Sequence, residues 1–216
     1  NKYESRSSQS FIDSSLRENY LFNSLINGIE EADLILLIGA NPRFEATIVN
    51  ARIRKAYSNN NTKIISLNDV GDLTYSYKFL DGETQTIKDI AENKNEVSKN
   101  IIDAKKPLII LGESFLNTKS ANYLFYSLKK FLLQNNKFTG EWNPLNLLST
   151  NAATVGNFDL DIINQKENLI KDLNENKFEL IYLLGQDNLD LKKKNEFVIY
   201  HGIHGDKGAE IADITL

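Results

Sequence analysis

The pattern of this chain predicts an α/β fold: a mostly parallel sheet flanked by helices, organised as two α/β halves. Its apolar runs at 34–38, 108–111 and 181–184 are continuous rather than alternating, as in strands covered on both faces. Between such runs lie segments with apolar residues three or four apart, for example Leu124, Leu128, Phe131 and Leu132, which suit helices packed on a sheet. At 216 residues the chain can bury a sizeable core.

In chain order, strands are expected at 33–39, 63–68, 107–112, 179–185, 196–200 and 212–216, and helices at 20–28, 44–57, 84–104, 118–134 and 163–175. Residues 1–19 are polar and form an N-terminal extension without a signal-peptide core. Pro107 restarts a strand after a long polar helix, so the halves are placed at 20–106 and 107–216. Residues 138–161, with Gly140, Trp142, Pro144 and Gly156, read as a long irregular excursion. Excursions of that length are usually functional or docked, and Trp142 is the expected interface anchor. The tracts Ser58-Asn59-Asn60-Asn61 and Lys192-Lys193-Lys194-Asn195 read as solvated loops. The chain begins without Met and stops at Leu216 inside an expected strand, so truncation at the C-terminus is expected.

The first buried strand ends at Gly39 and gives way to Asn41-Pro42, a turn that cannot continue the strand. A parallel sheet keeps its ligands outside the carboxyl ends of its strands, so this turn is the first candidate site. A phosphate cradle needs several glycines to bring bare N–H groups to the oxyanions, and here Gly39 stands alone.

The wording of the segment carries more than its period. Gly39-Ala40-Asn41-Pro42-Arg43-Phe44-Glu45-Ala46, followed by Asn50-Ala51-Arg52-Ile53-Arg54-Lys55, closely resembles the molybdopterin-oxidoreductase-like domain of the large iron-sulfur subunit of respiratory complex I, NADH:ubiquinone oxidoreductase. Asn19-Tyr20-Leu21-Phe22-Asn23, Gly28-Ile29-Glu30-Glu31-Ala32-Asp33, Asp72-Leu73-Thr74-Tyr75-Ser76-Tyr77, Ala104-Lys105-Lys106-Pro107-Leu108-Ile109-Ile110-Leu111-Gly112 and Tyr200-His201-Gly202-Ile203-His204-Gly205-Asp206-Lys207-Gly208-Ala209-Glu210-Ile211-Ala212-Asp213 agree in the same order. The resemblance implies two Rossmann-like halves in a structural domain of the peripheral arm, without catalytic residues of its own. It further implies an enzyme passing electrons from NADH to ubiquinone with proton pumping, on the matrix side of the mitochondrial inner membrane or the cytoplasmic side of a bacterial plasma membrane. Iron-sulfur clusters are expected in an amino-terminal part or a partner chain, and the expected partners are the other peripheral-arm subunits and that cluster-bearing part. The alternative is a fragment of a molybdopterin-dependent oxidoreductase resembling formate dehydrogenase. Such enzymes hold a pterin dinucleotide at this turn and use an Asp-Pro-Arg string after the following strand. Here that strand runs into Asn68-Asp69-Val70-Gly71, which lacks the proline and the arginine, so a cofactor-free domain is expected.

Composition narrows the remaining chemistry. With no cysteine, the chain excludes a disulfide, a thiolate zinc site and a cysteine-ligated cluster of its own. A net charge of -4 without a basic, aromatic-interleaved stripe argues against nucleic acid, and no apolar run is long enough to cross a bilayer. His201 and His204, with Asp206, could hold a metal if their side chains converged, but Gly202, Gly205 and Gly208 make this a loop of tight turns. Arg43 either pairs with a nearby acid or contacts a phosphate, and Glu45 suits a helix start. Glu30-Glu31 and Asp159 with Asp161 lack the spacing of a catalytic dyad. No catalytic, cofactor-binding or metal-binding residue is therefore assigned.

Overall fold

A computed structural model describes residues 10–162, 169–186, 191–205 and 207–216. The strands are β1 (Leu34–Ile38), β2 (Lys63–Ser66), β3 (Lys78–Phe79), β4 (Pro107–Gly112), β5 (Leu145–Leu148), β6 (Leu180–Leu184), β7 (Phe197–His201) and β8 (Ile214–Thr215). The helices are α1 (Leu25–Gly28), α2 (Pro42–Glu45), α3 (Thr47–Asn60), α4 (Thr84–Ala91), α5 (Glu96–Asp103), α6 (Glu113–Leu116), α7 (Ala121–Gln134), α8 (Thr154–Asp159), α9 (Leu169–Asn174) and α10 (Lys207–Ile211). Two compact units emerge, Ser10–Val155 and Gly156–Leu216.

The first unit holds a five-stranded sheet in the order β3-β2-β1-β4-β5, with every strand pair parallel. All five residues of β1 and all six of β4 are buried, so both faces of the sheet are covered. Each buried Leu or Ile contributes about 1.5–3 kcal/mol, so these two strands add substantially to the unit's hydrophobic stability. On one face Ile35, Leu37, Ile64, Leu108 and Ile110 share a cluster with Val49, Ile53 and Ala56 of α3. Helices α4 and α7 pack on one another and bury Ile87, Ile90, Leu124, Leu128 and Leu132.

The boundary expected at Pro107 is corrected. Pro107 opens β4, which lies beside β1 with Leu34 opposite Pro107, so the two expected halves share one sheet up to β5. The excursion at 138–161 is also more regular than its composition indicates. It contains β5, whose four residues are all buried, and α8. Trp142 belongs to the sheet's core cluster at 6% exposure rather than to a free surface. Residues 10–19 are not a detached extension: Phe11 N–H donates to the Leu116 carbonyl at 2.9 Å, and its ring stands edge-on to Phe125.

Three helical expectations are refined. The segment 84–104 is two helices, because Asn93 takes a left-handed conformation (φ 58°) and Asn95 caps α5 by accepting from Val97 N–H at 2.9 Å. Residues 58–60 are the last turn of α3 rather than loop, and Asn61 ends it at φ 54°. The helix expected at 163–175 is seen as α9, and 163–168 lie outside the described residues.

The second unit carries a three-stranded parallel sheet in the order β6-β7-β8. Ile181, Leu183, Val198 and Tyr200 form its core, with Leu173 of α9 and Ala209 and Ile211 of α10 packed against them. Burial in β6 alternates, so the expectation that 181–184 is buried throughout holds for Ile181 and Leu183 and fails for Tyr182 and Leu184. The physical reason is that α9 and α10 cover the same face of this sheet.

Candidate functional site

In the five-stranded sheet the chain starts at β1, runs outward through β2 and β3, then returns to β4 on the other side of β1. This reversal places the topological switch point between the carboxyl ends of β1 and β4, where open α/β sheets bind ligands. The turn after β1, from Gly39 to Glu45, and the turn after β4, from Gly112 into α6, form the two walls.

The walls touch. Gly39 sits at φ 63°, and a Cβ added there would stand 2.6 Å from the Phe115 Cβ, while one added at Gly112 would stand 2.6 Å from the Ala40 Cα. Both glycines are needed so that the two loops can close on each other, with Phe115 buried beneath. The Gly39 N–H, which an anion would require, donates instead to Asn68 Oδ1 at 2.8 Å.

The loop after β2 is tied to the turn after β1 and to α3. Asn41 Nδ2 donates to the Val70 carbonyl at 3.3 Å, and Asn50 Nδ2 to the Leu73 carbonyl at 3.1 Å. The Tyr75 hydroxyl donates to Asn50 Oδ1 at 2.7 Å. Arg43 pairs with the Asp72 carboxylate at 2.7 Å and also bonds its carbonyl. The Thr74 backbone N–H, and then Arg43, hold the Asp72 carboxyl below its ordinary range. Of the two roles open to Arg43, the structure thus shows pairing with an acid.

Charge at the crevice is unsuited to phosphate. Burial pushes the Glu45 carboxyl up, and the nearby Glu113 carboxylate raises it further. Glu45 Oε2 is buried without a hydrogen-bond partner. Two carboxylates at the strand ends repel an anion where a cradle would attract one.

The described part of the histidine loop is arranged around Tyr200. The Tyr200 hydroxyl donates to the His204 carbonyl at 3.0 Å, which turns the loop back over the ring. Gly202 and Gly208 lie flat against that ring, where an added Cβ would approach Tyr200 Cε1 to 2.7 Å and Cε2 to 2.6 Å respectively. The His201 Nδ1 is 3.0 Å from the Tyr182 hydroxyl, Asp206 lies outside the described residues, and His204 is exposed. Among the described residues no group of three His, Asp or Glu side chains could hold a metal ion. Glu30 is engaged with Arg52 and Lys55, and Glu31 with Lys106, so this pair braces the helix–sheet junction.

The molybdopterin oxidoreductase family model matches residues 1–216. The chain belongs to the molybdopterin oxidoreductase family. It is 39% identical over 204 residues to the NADH-ubiquinone oxidoreductase 78 kDa subunit, mitochondrial, of Candida albicans, a match covering 93% of this chain and 27% of that protein. It is 38% identical to the NADH-ubiquinone oxidoreductase 75 kDa subunit of Reclinomonas americana, with 93% and 29% covered. It is 34% identical to the NADH dehydrogenase [ubiquinone] iron-sulfur protein 1, mitochondrial, of Solanum tuberosum, with 93% and 27% covered. The chain therefore spans about a quarter of the length of these relatives.

For a molybdopterin oxidoreductase domain, the crevice is a poor fit to a pterin dinucleotide. Gly39 N–H is already bonded, Arg43 is committed to Asp72, the walls are in contact, and Glu45 and Glu113 bring two acids close together there. Only the missing glycines and the missing Asp-Pro-Arg string signalled this in the sequence. The closure by Phe115 carried no sequence signature at all.

Proposed function

We propose that this chain is a structural, cofactor-free domain of the peripheral arm of respiratory complex I, part of the large iron-sulfur subunit. It supports electron transfer from NADH to ubiquinone, coupled to proton pumping, by bracing the cluster-bearing part of its subunit and offering surface to neighbouring subunits. The names of its relatives support the enzyme, and the close packing of the two loops at Gly39 and Gly112 supports the cofactor-free reading. The proposed setting is the matrix side of the mitochondrial inner membrane, with attachment through partners. No helix among the described residues is long and apolar enough to cross a membrane.

The test is purification of the tagged, full-length subunit from its source in mild detergent, followed by native electrophoresis, protein identification and metal analysis. Comigration with NADH:ubiquinone oxidoreductase activity and its subunits is expected, without stoichiometric molybdenum or pterin fluorescence. A small enzyme carrying molybdenum would overturn the proposal in favour of a formate dehydrogenase-like oxidoreductase.

A further inference from the structure

Helix α7 has two faces of opposite character. Ala121, Leu124, Phe125, Leu128, Phe131 and Leu132 are buried on one side. On the other, Lys119, Asn122, Tyr123, Tyr126, Ser127 and Lys130 line an open groove of about 550 Å³. These positions recur at three and four residues from the turn before α7 onward, which sets them in one stripe. Tyr123 is 56% exposed and Tyr126 46%, so the middle of the groove is aromatic and open to solvent.

The aromatic part is held in place by its surroundings. The Tyr126 hydroxyl donates to Asp13 Oδ2 at 2.8 Å, and its ring stands edge-on to those of Phe11 and Phe125, with centres 6.4 and 5.5 Å away. The ring is therefore ordered before anything binds, which lowers the entropic cost of a contact. Ser127 Oγ donates to the Tyr123 carbonyl at 2.7 Å, so the groove's polar character rests on its lysines, on Asn122 and on the Tyr123 hydroxyl.

Charge sets what can lie there. The chain carries a net charge of -4, yet the described residues lining this groove include no Asp or Glu. The neighbouring acids are already engaged: Asp13 accepts from Tyr126 and from Asn19 Nδ2, and Glu18 pairs with Lys129 at 2.9 Å. Lys119 and Lys130 have no ion pair among the described residues. At the helical rise of about 1.5 Å per residue they stand about 16 Å apart along the axis, with the tyrosines between them.

We infer that this face of α7 is a docking surface for an acidic segment of another protein, in which two carboxylates meet Lys119 and Lys130 and an apolar side chain between them lies on Tyr123 and Tyr126. Tyrosine is enriched at protein interfaces, where it supplies apolar area and a polar tip. A nucleic acid fits less well, because its regularly spaced phosphates would fall on the uncharged rings between the lysines. The inference rests on the reading of this chain as a structural domain and deepens it by naming one surface through which the domain meets a neighbour.

The native assembly containing the full-length subunit is treated with a carbodiimide, which activates a carboxylate and joins it as an amide to a lysine amine in contact with it. Peptide mass spectrometry is expected to find Lys119 and Lys130 joined to Asp or Glu residues of one segment of another polypeptide. A missing link at either lysine, or links only within the subunit, would overturn the inference. Lys119→Glu/Lys130→Glu should lower retention of the linked protein about tenfold, since two attractive pairs become repulsive, whereas Lys119→Arg/Lys130→Arg should retain it. Equal retention in these two variants would also overturn the inference, and where the charge-reversed subunit does not assemble, the cross-links of the unsubstituted assembly decide alone. Whether that assembly is complex I is read separately, from NADH:ubiquinone oxidoreductase activity on a native gel, so a failure of that reading leaves the cross-link result standing.

Discussion

The indole Nε1 of Trp142 donates to the Pro107 carbonyl at 2.8 Å, tying the segment before β5 to the first residue of β4. The Lys106 ammonium stands 5.4 Å from the centre of the same ring. The bond joins two segments 35 residues apart and closes one edge of the core. Trp142→Ala should therefore destabilise the Ser10–Val155 unit by about 3–5 kcal/mol through the cavity it leaves. Trp142→Phe should cost less, keeping part of the packing while orphaning the Pro107 carbonyl at about 1–3 kcal/mol. Chemical denaturation orders the two variants; a Trp142→Ala protein as stable as wild type would return the residue to the surface.

Gly39 and Gly71 share a left-handed backbone, at φ 63° and 66°, and differ in surroundings. Nothing lies within 4 Å of a Cβ at Gly71, whereas one at Gly39 meets Phe115. Gly71→Ala should cost about 1 kcal/mol from backbone conformation alone. Gly39→Ala should add about 1–3 kcal/mol for forcing apart two packed loops. Equal denaturation midpoints for the two variants would mean that the crevice is open.

Glu45 makes stability depend on pH in a defined direction. Its carboxyl is pushed above the ordinary 4.5, chiefly by burial and further by Glu113. The folded state therefore holds the proton more tightly than the unfolded state, and stability is lost as pH rises from 4.5 through the folded value. Glu45→Gln should raise the melting temperature at pH 7, and the gain should shrink as pH falls below 4.5. A gain of the same size at both pH values would show that packing rather than ionisation is responsible.

Asp213 works in the opposite sense. Its carboxylate accepts from Lys193 Nζ and from the Val198 N–H at 2.8 Å, and both hold its carboxyl below the ordinary 3.8. The stability it contributes is present above 3.8 and disappears as pH falls through the lower folded value. Amide exchange at Val198 should accelerate in Asp213→Asn at pH 7 and converge with wild type in strong acid.

The glycines of the histidine loop should separate by their neighbours. A Cβ added at Gly208 would meet the Tyr200 ring and stand 3.0 Å from the Gln186 carbonyl oxygen, while one added at Gly205 would meet nothing within 4 Å. Gly208→Ala should loosen β7, seen as faster amide exchange across 197–201, and Gly205→Ala should leave that exchange unchanged. The reverse order would show that the loop serves something other than enclosing Tyr200.

How much of this was legible beforehand depends on where burial is decided. The runs in β1 and β4 are apolar at every position because both faces of their sheet are covered, so sequence alone determined these strands, their parallel class and the turn that marks the switch point. It also determined the family resemblance, through strings such as Asn41-Pro42-Arg43-Phe44-Glu45. The run in β6 is equally apolar, yet Tyr182 and Leu184 are exposed, because what covers a strand's second face is not written in the strand. Strand β5 hides among Asn, Pro and Trp: Asn146 is buried within it, its Nδ2 donating to the nearby Pro144 carbonyl at 3.1 Å and its Oδ1 accepting from the distant Ser24 N–H at 2.8 Å, and these bonds make the polar residue tolerable. The contact of Gly39 with Phe115 joins positions far apart in the chain. Local patterns encode period and turn chemistry, whereas the meeting of two loops depends on which distant residues the topology brings together, so the tertiary structure alone decided that Trp142 is core, that Arg43 is bound to Asp72, and that the turns at Gly39 and Gly112 pack against one another.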